Sequence, residues 1–315
     1  MRGKRIPTTK VAGWMDPMLA TLVDSLADSS GWVFERKLDG IRAISYREDD
    51  AVRLYSRNKL PLEDSFPSVV ASLESLSERR FVLDGEVVAL ERGRIGGFEP
   101  LQQRSSRTTL RYYVFDVLSF DGEDVRGLPL LERRHVLSAM RLNGTLRRTA
   151  TRSGDAEQLR SEACESGWEG VIAKRTDAPY RGGRSKDWLK LKCVLEQEFV
   201  VGGYTDPKGG RSGFGALMIG YHEDGKLRHG GEVGTGFNER TLTDLAAKLG
   251  KLSTDRSPFA GHPRAMKGEH FVRPKLVVQV GFSEWTRDGK LRHPRFLGVR
   301  TDKRPADVVR ERPAG

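Results

Sequence analysis

Charged side chains recur within predicted strands that are otherwise apolar. These strands are rich in β-branched and aromatic residues and lie at residues 32–35, 81–90, 169–175 and 188–192. The first of them leads directly into Lys37. A charge in a buried strand is costly unless it is paired or binds a ligand. The pattern therefore predicts a polar site that is built on several strands.

The first part of the chain, residues 1–192, is predicted to be a mixed α+β domain of antiparallel sheets and helices. Further strands are predicted at residues 41–46, 52–56 and 112–118. Residues 17–23 are predicted to pack before the first strand, and residues 81–90 to form a pair of buried strands. Helical spacing occurs at residues 65–76, 131–142 and 155–166. Pro67 near the start of the first helix and Gly167 after the last are typical helix boundaries.

The second part, residues 193–315, is predicted to be a β-barrel of the OB type. Two hairpin turn signals, residues 223–226 and 287–290, each lie between apolar strands. Asn238 is placed to cap a single helix that ends near Leu249. About five strands with one helix suit a small Greek-key barrel, which often binds nucleic acid.

Composition narrows the class of protein. The chain has 315 residues, of which 37% are hydrophobic and 31% charged, so we expect a soluble protein with two domains. The net charge of +11 and the pI near 9.7 indicate a polyanionic partner such as nucleic acid, although a basic soluble protein would have the same balance. Cys164 and Cys193 lack metal-ligand spacing, and nothing predicts a disulfide between them. There is no apolar run long enough for a signal peptide or a membrane span, so we expect a cytoplasmic protein with no membrane partner.

Lys37 lies in a short segment, residues 35–42, that combines it with a carboxylate, a glycine and an arginine. A lysine is a poor nucleophile at neutral pH unless cations, a metal or desolvation lower its pKa. Asp39 could orient the amine or hold a divalent cation, and Arg42 offers a fork for phosphate. Taken alone, such a segment is more typical of a salt-bridged turn.

Further charged residues on the predicted strands indicate a site only when they are considered together. Glu86 and Glu169 stand next to glycines on separate strands and could converge on a ribose or on Mg²⁺, or each could form a structural ion pair. Lys190 and Lys192 alternate with leucines, so both ammonium groups face one side, where a phosphate could lie between them. A solvated basic face is the alternative. Phe115 could stack on a purine or belong to the core, and the chain has no Walker-type loop.

In this order the segments resemble the motifs of the covalent nucleotidyltransferases, and among these the ATP-dependent DNA ligases. The sequences of motifs I, IV and VI are most similar to those of the ligase module of bacterial ligase D. The matching segments are residues 35–42 for motif I, 56–58 for Ia, 83–86 for III, 113–116 for IIIa, 169–174 for IV, 188–192 for V, and 292–296 with 300–303 for VI. The resemblance implies a nucleotidyltransferase (adenylation) domain followed by an OB-fold domain.

The resemblance also implies roles for single residues. Lys37 would attack the α-phosphate of ATP, Glu35 would read the adenine amino group, and Phe115 would stack on the ring. The ribose would be held by Arg42 and Glu86, and Arg57 would contact first ribose and then DNA. The remaining implied ligands of nucleotide or metal are Lys174 for the nucleotide, Lys190 and Lys192 for the α-phosphate, Asp39, Glu86 and Glu169 for Mg²⁺ or Mn²⁺, and Arg300, Asp302 and Lys303 for the leaving phosphates.

The implied function is sealing of nicked or broken duplex DNA through a lysyl-AMP intermediate, in DNA repair or end joining. The expected protein is a nucleoid-associated monomer, with Ku as a candidate partner. Three alternatives remain open at this point: an RNA ligase, a capping-type guanylyltransferase, and a non-catalytic DNA-binding protein of the OB type. Glu35 and the ligase-like motif VI argue against the guanylyltransferase, and Lys37 with Lys190 and Lys192 argues against the non-catalytic protein.

Overall fold

The computed structural model describes residues 13–96, 100–101, 108–207, 212–262 and 264–313. The described chain divides into two compact units, the first ending at Cys193 and the second comprising Val194–Arg312. None of the helices described is long and apolar enough to cross a membrane.

The first unit contains two sheets. Its strands, in chain order, are β1 (Met18–Leu22), β2 (Trp32–Arg36), β3 (Ile41–Glu48), β4 (Ala51–Ser56), β5 (Arg80–Glu91), β6 (Arg94–Ile95), β7 (Thr109–Phe120), β8 (Glu123–Asp124), β9 (Leu146–Arg148), β10 (Thr151–Arg152), β11 (Gly170–Arg175) and β12 (Gly183–Lys192). One sheet has the order β4-β3-β5-β7-β8, with β6 beside β5 and β9 beside β7, and the other has the order β1-β12-β11-β2-β10. Most neighbours are antiparallel, whereas β1 runs parallel to β12 and β9 parallel to β7.

Helices cover these sheets at boundaries that the local sequence explains. They are α1 (Pro67–Glu74), α2 (Leu130–Ala139) and α3 (Ala156–Glu165). Proline stands in the first turn of α1, where its missing N–H costs nothing. Asp155 caps α3 by accepting a hydrogen bond from the backbone N–H of Gln158. The predicted helices are confirmed, with ends that differ by one to three residues.

The second unit is built on one antiparallel sheet. Its elements are β13 (Leu195–Thr205), β14 (Leu217–Glu223), β15 (Lys226–Val233), α4 (Glu239–Gly250), β16 (Glu269–Phe282), β17 (Glu284–Trp285), β18 (Leu291–Arg292) and β19 (Arg295–Val299). The sheet order is β15-β14-β13-β16-β19, and β17 pairs with β18. Asn238 caps α4 through the N–H of Thr241, as predicted.

The two hairpin predictions have different outcomes. Asp224 and Gly225 both have positive φ and join β14 to β15 in a two-residue turn, which confirms the first hairpin. The second hairpin is confined to the short ladder of β17 and β18, because β16 ends at Phe282 and β19 pairs with β16. The apolar residues predicted to form one long hairpin are thus divided between two strand pairs, β16 with β19 and β17 with β18.

Three further expectations are wrong. The segment at Met18–Leu22, expected to be packed before the first strand, is itself a strand of the sheet. The segment at residues 81–90, read as a pair of strands, lies within the single strand β5. Cys164 and Cys193 form a disulfide with their Cα atoms 5.3 Å apart, because the end of α3 packs beside the end of β12. Their separation of 29 residues carries no local signal of this contact.

Candidate active site

Lys37 lies directly after β2, at the edge of a row of functional side chains. Its backbone N–H donates to the carbonyl oxygen of Gly170 at 2.9 Å, which continues the β2–β11 pairing past the end of the strand. Its ammonium forms an ion pair with Oε1 of Glu169. The Lys37 side chain is 17% exposed and that of Glu169 is 7% exposed. The predicted nucleophile is therefore accessible yet held by a shielded carboxylate.

Strand register explains why the predicted phosphate-binding lysines belong to the same face. Glu35 lies opposite Ile172, and Ile172 lies opposite Lys190. Directly opposed residues share a face of the sheet, and so do residues two apart on one strand. Lys192 therefore shares the face of Lys190 and Glu35.

Gly170 makes this close approach possible. Its φ is +146°, and a Cβ at this position would lie 2.2 Å from the carbonyl oxygen of Leu191. Any other residue would push β11 away from β12. The glycine that follows Glu169 thus fixes the strand spacing beside the Lys37–Glu169 pair.

Glu169 also provides a structural indication of a metal ligand. Its second oxygen, Oε2, is buried and has no hydrogen-bond partner. Such an atom is costly to bury unless a ligand satisfies it, and a carboxylate oxygen suits Mg²⁺ or Mn²⁺. In the described residues no group of three or more His, Cys, Asp or Glu side chains could hold a metal, so the protein alone does not assemble Asp39, Glu86 and Glu169 into one cluster. Phosphate oxygens and water would have to complete the coordination of an ion there.

Glu35 is enclosed by three donors. It is 3% exposed, and its oxygens accept from Nη1 of Arg134 at 2.7 Å, from Oγ1 of Thr149 at 3.0 Å and from Nζ of Lys174 at 3.0 Å. Glu35 also lines a mainly apolar pocket of about 190 Å³ to which Tyr113 contributes. The predicted adenine reader is therefore fixed in position by partners that its own segment does not contain.

Lys174 is a buried cation between aromatic rings. Its ammonium lies 4.4 Å from the ring centroid of Phe115 and 4.2 Å from that of Trp188. Burial lowers the pKa of Lys174, and the charge of Glu35 opposes this effect. Lys174 thus stands with Glu35 and Phe115, as the resemblance implies, but it is paired within the protein.

Arg42 forms an ion pair with another buried carboxylate, that of Asp84. Its Nε and Nη2 donate to the two oxygens of Asp84 at 2.6 and 2.5 Å, and the hydroxyl of Tyr180 donates to the same carboxylate at 2.7 Å. Burial disfavours the charge of Arg42, but the pairing with Asp84 outweighs it and raises the pKa of the guanidinium. Arg42 also lies 4.7 Å from the centroid of Phe115.

Phe115 and the remaining predicted ligands of the nucleotide differ in their burial and in their neighbours. Phe115 is 8% exposed and already contacts two cations, so a purine would have to share this ring with them. Glu86 is half-buried and lies opposite Arg42 in the β3–β5 register, so the two share a face. Asp39 and Arg57 are half-buried in the turns that follow β2 and β4.

The predicted motif VI residues form a compact charged cluster in the second unit. Arg300 and Asp302 are 8% and 1% exposed and make two hydrogen bonds, at 2.9 and 2.8 Å. Lys303 forms an ion pair with Glu198 at 2.8 Å. All three predicted residues are therefore held by partners within this unit.

Several residues of the first unit were given no role by the sequence. Arg134 and Thr149 hold Glu35 from 99 and 114 positions away, so no local pattern could identify them. Asp84 and Trp188 lie inside the segments that match motifs III and V. Each is two positions from a predicted site residue, Glu86 or Lys190, and this spacing could have identified them as part of the site. Asp116 pairs with Arg133, and both are fully shielded from solvent.

Sequence comparison with known proteins identifies the family to which both parts of the chain are similar. Two family models match, the ATP dependent DNA ligase domain at residues 17–192 and the ATP dependent DNA ligase C terminal region at residues 210–303. The multifunctional non-homologous end joining protein LigD of Pseudomonas aeruginosa is 39% identical over 325 residues, and the Mycobacterium tuberculosis protein of that kind is 40% identical over 301. These matches cover 100% and 94% of this chain but only 39% and 40% of the two relatives.

Solved structures give the same result. The mycobacterial DNA ligase D complexed with ATP and MES superposes with a TM-score of 0.68 at 36% identity, covering 94% of this chain and 98% of that one. The ligase domain of M. tuberculosis LigD gives a TM-score of 0.52 at 36% identity over the same shares.

Proposed function

This chain belongs to the ATP-dependent DNA ligase family, and on that premise we propose that it joins nicked or broken strands of duplex DNA through a covalent lysyl-AMP. The observation that carries the proposal is the pairing of Lys37 with Glu169, on a sheet that also carries Lys190 and Lys192. Family membership disfavours the three alternatives, the RNA ligase, the guanylyltransferase and the non-catalytic protein.

In the first step Lys37 is the nucleophile. Loss of a proton from Nζ, with Oε1 of Glu169 as the adjacent acceptor, exposes the lone pair. A bond then forms from Nζ to the α-phosphorus of ATP, the bond to the β-phosphate oxygen breaks, and pyrophosphate leaves. Lys190 and Lys192 stabilise the charge on the phosphate oxygens.

A divalent cation held through Glu169, with Asp39 and Glu86 as further candidate ligands, would offset phosphate charge when bound. The protein residues perform the other tasks. Glu35 and the Phe115 ring position the base, and Arg42 with Glu86 positions the ribose. In the following steps AMP passes from Lys37 to a DNA 5′-phosphate, and a 3′-hydroxyl attacks that phosphate and displaces AMP.

The biological setting is part of the same proposal. The relatives in P. aeruginosa and M. tuberculosis are named as end-joining proteins, and this chain spans about two fifths of their length. We infer a role in end-joining repair, action as a monomer on DNA in the nucleoid, and Ku as a partner at DNA ends. The net charge of +11 supports DNA as the substrate.

The decisive experiment is transfer of label from α-labelled ATP or GTP to the protein. The wild type should become labelled by ATP and not by GTP, and Lys37→Ala should not become labelled. Lys37→Arg should fail as well, because a guanidinium stays protonated. Lys226→Ala, at the exposed start of β15, is the matched control. Labelling of Lys37→Ala at the wild-type level would overturn the assignment.

A further inference from the structure

Three aromatic side chains of the first unit form a half-buried cluster. The ring centroids of Trp14 and Tyr46 lie 6.2 Å apart, and those of Tyr55 lie 5.8 Å from Trp14 and 5.9 Å from Tyr46. Each residue keeps part of its surface in contact with solvent. Large aromatic rings that are grouped together and partly exposed often mark a binding site.

Cations accompany these rings. The ammonium of Lys59 lies 5.9 Å from the ring centroid of Trp14, and Lys59 is exposed. Arg57 stands in the same turn, two residues earlier. A carboxylate also bonds the cluster, since Asp16 accepts from Nε1 of Trp14 at 3.0 Å. Aromatic faces combined with cations form the usual surface for a nucleic-acid strand.

The turn that presents Lys59 is ordered by its own hydrogen bonds. Oγ of Ser56 accepts from the backbone N–H groups of Asn58 at 3.3 Å and Leu60 at 3.1 Å. The N–H of Ser56 donates to the carbonyl oxygen of Leu60 at 2.8 Å. Lys59 itself has φ +59°, which is uncommon for a residue other than glycine. A fixed turn presents its side chains without much ordering cost on binding.

The cluster is continuous with the candidate active site. Trp14 and Tyr46 pack against an apolar core that includes Phe115 and Trp188. These are the rings that surround Lys174. A DNA strand that reaches Lys37 would therefore find the aromatic cluster on the same body, beside the nucleotide site.

We propose that Trp14, Tyr46 and Tyr55 form a stacking surface for one strand of the DNA substrate. The rings contact a base and its deoxyribose, while Lys59 contacts a flanking phosphate beside the DNA contact that the family resemblance implies for Arg57. This inference rests on the proposed ligase function and adds a DNA contact to it. Formation of lysyl-AMP needs no DNA, so the surface acts only in the later steps.

Trp14→Ala tests the surface, and Trp14→Phe is the matched variant that keeps a ring. Binding of nicked duplex is measured by fluorescence anisotropy at fixed salt, and self-adenylation is measured without DNA. Because the variant loses one aromatic contact with the strand, Trp14→Ala should bind roughly tenfold more weakly. It should retain self-adenylation, and Trp14→Phe should keep most of the affinity. Wild-type affinity in Trp14→Ala would overturn the proposal.

Lys59→Ala provides a second measurement, because an exposed lysine can be removed without unfolding the protein. Its removal should weaken binding and lower the slope of log affinity against log salt by about one. Lys226→Ala, an exposed lysine of the second unit, should leave that slope unchanged. An unchanged slope for Lys59→Ala would overturn the phosphate contact, even if Trp14→Ala proved unstable. Failure of the wild type to form lysyl-AMP would instead refute the ligase proposal.

Discussion

Arg300→Ala should destabilise the second unit before it affects any chemical step. The substitution removes two charge-assisted hydrogen bonds from Asp302, whose side chain is 1% exposed. Breaking a buried ion pair by deleting one partner costs about 3–5 kcal/mol, because the remaining charge is left in a poorly solvated place. The charge of Lys303 still favours the carboxylate, so the lower end, about 3 kcal/mol, is expected.

The pH dependence gives the same pair a second signature. Burial raises the pKa of Asp302, but Arg300 and Lys303 outweigh this and hold it below its ordinary value. In the wild type this contributes stability that is present above a pH of about 4 and is lost as the pH falls further. In Arg300→Ala burial prevails and the pKa rises. The variant then regains stability as Asp302 is protonated, so the difference between the two proteins should shrink from pH 7 towards pH 4.

The assay is urea and thermal unfolding of both proteins across this pH range. For a domain of about 100 residues, about 3 kcal/mol corresponds to a decrease in Tm of roughly 12 °C. The double variant Arg300→Met/Asp302→Leu should recover much of the loss, since a buried pair can be replaced by apolar side chains at little cost. A loss below about 1 kcal/mol, or a difference that does not change with pH, would refute the reasoning.

Because Arg300→Ala is expected to destabilise the second unit, the predicted contact with the leaving phosphates needs another variant. Lys303→Ala is the better variant, because its partner Glu198 is 22% exposed and can be hydrated. If Lys303 contacts the leaving phosphates, the variant should lose self-adenylation and still seal a nick that already carries 5′-AMP. Equal loss of both activities would argue against a role confined to the first step.

Three further outcomes are expected. Reducing the Cys164–Cys193 disulfide should lower the free energy of unfolding of the first unit by about 3.5 kcal/mol on the chain-entropy model, and Cys164→Ser should be insensitive to the reductant. Burial, together with the charges of His262 and Lys290, lowers the pKa of His229 to about 4, so the unfolded state binds more protons as the pH falls from about 6.5 to 4. The second unit should lose about 2 kcal/mol over that window, allowing for partial exposure, and His229→Phe should show a shallower slope in chemical denaturation. Affinity for nicked duplex should fall steeply between about 50 and 200 mM salt, and an affinity that hardly changes would contradict phosphate-dominated binding.

Much of the fold follows from local patterns in the sequence. The cap at Asn238, the proline of α1 and the turn at Asp224 and Gly225 are short-range signals, and the structure confirms all of them. Pairings between distant segments leave no such signal. The parallel pairing of β1 with β12 joins segments more than 160 residues apart, and the disulfide depends on a similar tertiary contact.

The candidate site shows the same division between local and distant information. Alternation along β12 places Lys190 and Lys192 on one face, and the register of β2, β11 and β12 agrees with that expectation. Two of the three partners of Glu35, by contrast, come from α2 and from the segment between β9 and β10. A single sequence identifies chemistry-bearing side chains where they share a strand, but it does not identify the groups that hold them from elsewhere.

The ion pairs of the site lead to one further expectation about ATP binding. Lys37, Lys174 and Arg42 each pair with a carboxylate of the protein, namely Glu169, Glu35 and Asp84. These pairs keep the cations in position while neutralising much of their charge. We therefore expect a divalent ion to share with the lysines of the site the stabilisation of a bound triphosphate. Glu169→Gln would remove one competing negative charge and the acceptor for the Lys37 proton at the same time. It should leave ATP binding measurable and slow self-adenylation by at least about tenfold, because an amide cannot accept the proton from Lys37. Equal loss of ATP affinity and adenylation rate would show that Glu169 serves binding rather than the proton of Lys37.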